Sequence, residues 1–95
     1  EHNAVTRPLH AAGRLGITHT VVECARDGSL DVARLEEEIR PETSLVIVNH
    51  ASNLTGTILP VADAAAAAHK HETLLLVDAA QTAGRLPVDA ESDGM

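Results

Sequence analysis

An apolar run ends in an acid at Leu74-Leu75-Leu76-Val77-Asp78, and an amide follows three residues later at Gln81. A carboxylate at the end of a buried strand can hold a cationic ring nitrogen through a charge-assisted hydrogen bond. A pyridine ring kept protonated in this way is an electron sink, which is the protein's share of pyridoxal phosphate chemistry. The same four residues also read as a capping box, with Asp78 capping a helix start and Gln81 reaching back. A second apolar run, Leu45-Val46-Ile47-Val48, leads into Asn49-His50-Ala51-Ser52-Asn53. The Asn53 amide could bond a ring hydroxyl or a substrate carboxylate, or it could form an Asx turn ahead of Gly56. His2 could stack on a planar cofactor and shuttle protons near neutral pH, although a histidine in such a position is commonly a solvated surface residue.

The remaining reactive side chains point to less. His69 and His71 are two apart at a helix end, so they face different directions and suit the negative end of the helix dipole. No cysteine and histidine spacing matches a zinc site, and no metal is expected. Cys24 reads as a small buried residue rather than a nucleophile. The glycines are isolated and form no phosphate loop. Lys70 is the only lysine and lies at a helix end.

To bring Asp78 and Asn53 together, the chain must deliver two strand ends to one edge. Short apolar runs such as these read as strands buried on both faces of a parallel sheet, and open α/β sheets bind ligands at the carboxyl ends of their strands. Thr6 is expected to cap a first helix with Pro8 in its first turn, ended by Gly16. Ile17 to Cys24 is β-branched and reads as a strand. Asp31 caps a helix whose apolar face carries Leu35 and Ile39 and which Pro41 closes. Leu45 to Asn49 is the second strand. Pro60 opens an alanine-rich helix to about His71, and Leu74 to Asp78 is the third strand. Leu86-Pro87-Val88-Asp89 looks extended, suited to a short edge strand. The β-α-β-α-β order predicts an α/β fold, a three-layer parallel sheet with flanking helices, in one partial domain over residues 1–95.

Composition narrows the partners. The chain is 44% hydrophobic but has no Phe, Tyr or Trp, so its core must be built from Leu, Val, Ile and Ala. So small a domain is marginal unless it packs well or associates, which suggests a piece of a larger protein. A net charge of −7, with basic residues scattered, argues against nucleic acid or an anionic membrane as partner. No stretch approaches the length of a membrane span. A single cysteine fits a reducing cytoplasm.

Glu1-His2-Asn3-Ala4-Val5, Val48-Asn49-His50-Ala51-Ser52-Asn53-Leu54-Thr55-Gly56-Thr57, Val77-Asp78-Ala79-Ala80-Gln81-Thr82-Ala83-Gly84 and Pro87-Val88-Asp89 together resemble the class V aminotransferase superfamily. The likeness is greatest to its cysteine desulfurase and selenocysteine lyase-like branch. The intervals from His2 to Asn53 and from Asn53 to Asp78 fit as well, and the resemblance runs along essentially the whole chain. It implies the central part of the large domain of a transferase that uses pyridoxal 5'-phosphate and has the aspartate aminotransferase-like fold. By that resemblance His2 stacks on the pyridoxal ring and assists proton transfer. Asn53 contacts the ring hydroxyl or the substrate carboxylate, Asp78 bonds the pyridinium nitrogen, and Gln81 bonds the ring hydroxyl. The parent enzyme would convert L-cysteine to L-alanine and transferable sulfur, as a homodimer. The family's Schiff-base lysine would fall beyond Met95 and its phosphate-binding loop before Glu1, so the 95 residues alone are expected to be inactive. The alternative is a self-contained α/β binding or interaction module, in which Asp78 and Asn53 act only as caps and turns.

Overall fold

The computed structural model describes residues 1–95. Its elements in chain order are helix α1 (Asn3–Ala12), a 3-10 turn (Gly13–Leu15), helix α2 (Val32–Glu38), strand β1 (Leu45–Asn49), helix α3 (Val61–Lys70) and strand β2 (Leu74–Asp78). The two strands pair in parallel, from Leu45 against Leu74 to Asn49 against Asp78. Parallel neighbours need a crossover, and α3 supplies it. The α/β class, the parallel sheet and the bounds of both apolar strands agree with the sequence pattern.

Period-2 alternation explains the packing. Val46 and Val48 of β1 turn to α3 and are buried, with Leu75 of β2 partly buried against the same cluster. The helix meets them with alanine: Ala64 and Ala68 are fully buried, and Ala65 and Ala67 nearly so. Their small side chains let helix and sheet approach closely, and Leu35 of α2 and Leu59 complete the core. A core without aromatics is therefore built on close approach of backbones rather than on large side chains.

Several expectations fail, for physical reasons. The strands are not buried on both faces. Leu45, Leu74 and Leu76 are 44%, 71% and 51% exposed, because α3 covers one face of the sheet only. Ile17 to Cys24 is not a strand, and the sheet has two strands rather than three. Its β-branched residues favour an extended backbone, but a strand also needs a ladder partner, and this segment has none. Val21 stays 72% exposed, and Cys24, read as buried, is exposed with it. The cap of α1 is His2, not Thr6: the Ala4 N–H donates to His2 Nδ1 at 3.0 Å. The imidazole nitrogen does what a hydroxyl would do, and Pro8 consequently lies inside the helix rather than in its first turn. The segment Leu86 to Asp89 forms no strand beyond an isolated bridge between Ala83 and Leu86. Pro87 offers no N–H to a ladder, and Asp89 instead starts a turn by accepting from the Glu91 and Ser92 N–H groups.

Other local signals hold. Asp31 caps α2 by accepting from the Ala33 N–H at 3.0 Å. Gly16 ends the first helical segment in the left-handed region, with φ of 83°. At the far end of α3, Lys70 Nζ lies 2.8 Å and His71 Nε2 3.1 Å from Glu36 Oε1, joining α2 to α3. The hydrogen bond from Lys70 chiefly, then that from His71, holds the Glu36 carboxyl below its ordinary pKa. A group depressed on folding stabilises the fold fully above its unfolded pKa, and that contribution is lost as pH falls through the folded value. An NMR titration should therefore find Glu36 ionised into acid, and Lys70→Met should move its titration back up. Glu36→Gln should remove the corresponding part of the acid dependence of unfolding.

Candidate functional site

The carboxyl edge of the sheet gathers the candidate residues. β1 and β2 end together, with Asn49 opposite Asp78. The His50 N–H donates to the Asp78 carbonyl at 2.9 Å, carrying the ladder one residue beyond β1. Neighbouring N–H groups of a strand point to opposite edges, so the Asn49 N–H faces away from β2. There it donates to Glu1 Oε1 at 2.8 Å. This bond brings the start of the chain, and with it the adjacent His2, to the end of β1. His2 itself is exposed, and its Nδ1 is engaged as the cap of α1.

After β1 the chain makes a tight excursion and returns. Ala51 bridges Ile58, the Ser52 N–H donates to the Thr57 carbonyl, and the Leu59 N–H to the His50 carbonyl. Inside this loop Ser52 Oγ accepts from the Leu54 and Thr55 N–H groups at 3.1 and 3.2 Å. That is the turn role offered to Asn53 by its sequence context, and Ser52 performs it. Asn53 is left exposed at the loop tip. The loop is braced from outside by the turn at Asp27-Gly28, where Thr57 Oγ1 donates to the Asp27 carbonyl. Gly28 has φ of 85°, and a Cβ there would stand 2.8 Å from Thr55 Oγ1 and 2.9 Å from Thr57 Oγ1. Asp27 shapes this turn by accepting from the Ser29 N–H at 2.9 Å, and the hydrogen bonds to Ser29 hold its carboxyl below the ordinary value.

After β2 the capping box is half formed. Asp78 is half-buried and accepts from the Ala80 N–H at 3.1 Å. No regular helix follows, and residues 79–82 form a turn instead. Gln81 is exposed. Asp78 thus keeps acceptor capacity beyond its one backbone bond. The groups that follow the two strand ends are an acid suited to a cationic ring nitrogen and two exposed amides able to donate to a ring oxygen, a combination of acceptor and donors that fits a pyridoxal ring.

Lys70 cannot join them. Leu74, which it precedes by four residues, pairs with Leu45 at the amino end of the sheet. Asp78 lies four residue steps away at the other end, about 13 Å along the strand. The Lys70 ammonium is turned to Glu36 in any case.

Two residues of this edge are not apparent from motif chemistry. His50 and Thr82 are both buried, and His50 Nδ1 lies 2.8 Å from Thr82 Oγ1. The available signal is parity: His50 continues the buried series Val46, Val48, so a polar side chain there needs a buried partner.

The model of the aminotransferase class V family matches residues 1–95. With a parallel βαβ unit and a polar carboxyl edge, this defines the class: the chain belongs to the class V aminotransferase family, whose members generally depend on pyridoxal phosphate. Among curated relatives, cysteine desulfurase IscS of Anaeromyxobacter sp. (strain K) is 40% identical over 92 residues, 97% of this chain and 23% of the relative. Cysteine desulfurase IscS of Dictyoglomus turgidum is 34% identical over 95 residues, 100% of this chain and 24% of the relative. The chain thus spans about a quarter of the length of these relatives. Among solved structures, SspA in complex with cysteine superposes with a TM-score of 0.96 at 28% identity, over 100% of this chain and 27% of that one. DndA from Streptomyces lividans gives 0.86 at 35% identity, over 99% and 25%. No helix is long and apolar enough to cross a membrane.

Proposed function

We propose that these residues are the central part of the cofactor domain of a cysteine desulfurase-like enzyme, one that uses pyridoxal phosphate to convert L-cysteine to L-alanine and transferable sulfur. This reading is supported by the parallel strand ends, which set Asp78 opposite Asn49, with Asn53 in the loop after β1 and Gln81 in the turn after β2, each with side-chain capacity left over. The names of the relatives and the cysteine bound to SspA support the choice of substrate. When bound, pyridoxal phosphate supplies an electron sink for bonds at the α carbon of an amino acid.

The chain's own residues have distinct tasks in this reading. Asp78 accepts from the pyridinium nitrogen and, as the negative partner, keeps that nitrogen protonated. Gln81 donates to the ring hydroxyl. Asn53, presented at its loop tip, donates to the ring hydroxyl or the substrate carboxylate. His2 lies against the ring face and moves protons. Its Nδ1 accepts the Ala4 N–H, which fixes the ring's orientation and leaves Nε2 for proton transfer. The working protein is read as a cytoplasmic homodimer.

The test is sulfide and alanine release from L-cysteine by the protein that carries this segment, supplied with pyridoxal phosphate and an excess of dithiothreitol, which reduces the transferred sulfur to sulfide. Stoichiometric alanine and sulfide are expected. Cofactor binding with release of neither product would remove the desulfurase assignment. The 95 residues alone are expected to release no sulfide, because their only amine side chain stands at the opposite edge of the sheet.

A further inference from the structure

The loop carrying Asn53 and the turn carrying Gln81 follow different strands, yet one cofactor ring has to touch both. Backbone pairing ends with the His50 N–H on the Asp78 carbonyl. Beyond it, one side-chain hydrogen bond crosses from the first loop to the second: His50 Nδ1 to Thr82 Oγ1, at 2.8 Å. Thr82 is 1% exposed and His50 9%. A buried polar pair of this kind is rigid when satisfied, since neither group has water to turn to.

Each partner is also fixed in its own loop. The His50 carbonyl accepts from the Leu59 N–H, closing the base of the Asn53 excursion. The Thr82 N–H donates to the Ala79 carbonyl, and its own carbonyl accepts from the Arg85 and Leu86 N–H groups, closing the turn that follows Asp78. A shift of either loop therefore has to break the bond or move the other loop with it. We infer that His50 and Thr82 are a positioning pair, a buried latch that holds the Asn53 loop in register with the Asp78–Gln81 turn. Neither residue faces the cofactor: the latch lies on the α3 side of the sheet with Val46 and Val48, whereas Asn49 and Asp78 have the opposite parity. The pair sets the spacing of the groups that bind the ring without touching it. This inference rests on the proposed cofactor site.

The experiment measures pyridoxal phosphate binding to the cofactor-free form of the full protein that carries this segment, together with its unfolding midpoint. Thr82→Val keeps the shape and removes the hydroxyl. It loses the bond to His50 Nδ1 and the longer one, at 3.4 Å, to the Ala79 carbonyl within its own turn, and is expected to raise the cofactor dissociation constant about tenfold. Thr82→Ser, which restores the hydroxyl, should return the constant to within about twofold of the parent. Asp78→Ala is run alongside. If it leaves binding unchanged, the proposed cofactor site is wrong. If it weakens binding while Thr82→Val does not, the site stands and the latch is wrong. A Thr82→Val protein weakened in binding but not rescued by Thr82→Ser also overturns the latch. Should Thr82→Val fail to fold, the ring-nitrogen NMR of His50 in the unsubstituted protein decides. A single fixed tautomer supports the latch, and averaging between tautomers overturns it.

Discussion

Asp78→Ala is expected to weaken pyridoxal phosphate binding about 10- to 100-fold and to cut turnover of L-cysteine by roughly a further 10²-fold, with the fold retained. In the proposed site the affinity loss follows from removing a charge-assisted bond to the ring nitrogen. The rate would fall as well, because without a negative partner the ring nitrogen would no longer be kept protonated. The fold should survive because the side chain makes one local bond, to the Ala80 N–H, at a turn rather than in the core. Asp78→Asn keeps that acceptor oxygen but not the charge. It should bind the cofactor better than the alanine variant and turn over scarcely faster. Equilibrium dialysis and steady-state sulfide assays separate these effects, and circular dichroism checks the fold.

Gly28→Ala has the second large effect, and it acts on stability. Gly28 holds φ of 85°, a conformation that costs a non-glycine residue about 1–3 kcal/mol. The new Cβ would also meet Thr55 Oγ1 at 2.8 Å and Thr57 Oγ1 at 2.9 Å, closer than real contacts permit. Thr57 would have to give up its bond to the Asp27 carbonyl or the loop would have to move. The expected loss is about 2–3 kcal/mol in urea-induced unfolding. Because the displaced loop is the one that presents Asn53, a weaker hold on the cofactor should accompany it. Gly56→Ala is the comparison: that glycine also has positive φ but nothing within 4 Å of the added carbon, so strain alone applies.

Much of this arrangement is legible in the sequence, and the exceptions share a cause. Leu45–Asn49, Val61–Lys70 and Leu74–Asp78 are recognisable because each carries its own signal: an apolar run, a proline followed by alanines, an acid at the stop. Asp31 shows itself as a cap for the same reason, a local bond satisfied within two residues. Ile17 to Cys24 has the composition of a strand, but pairing is a property of two segments, and no partner lies beside this one. The capping role of His2 hides because an imidazole is a rare cap. The Asx-turn reading of Asn53 yields because Ser52, one residue earlier, already takes the Thr55 N–H that such a turn would use. The His50–Thr82 contact joins residues 32 apart, which no local pattern encodes. Only the continued alternation from Val46 through Val48 hints that position 50 points inward.

The proposed pyridoxal-ring cradle lies at the carboxyl edge of β1 and β2. The most direct measurement is an NMR titration of the isotopically labelled protein with pyridoxal phosphate, following backbone and side-chain amides. Asn53, Asp78, Gln81 and the ring of His2 are expected to respond together with one dissociation constant, while Lys70 and the carboxyl ends of α2 and α3 stay still. A response confined to Lys70 and its surroundings, or none at Asp78 and Gln81, would contradict it.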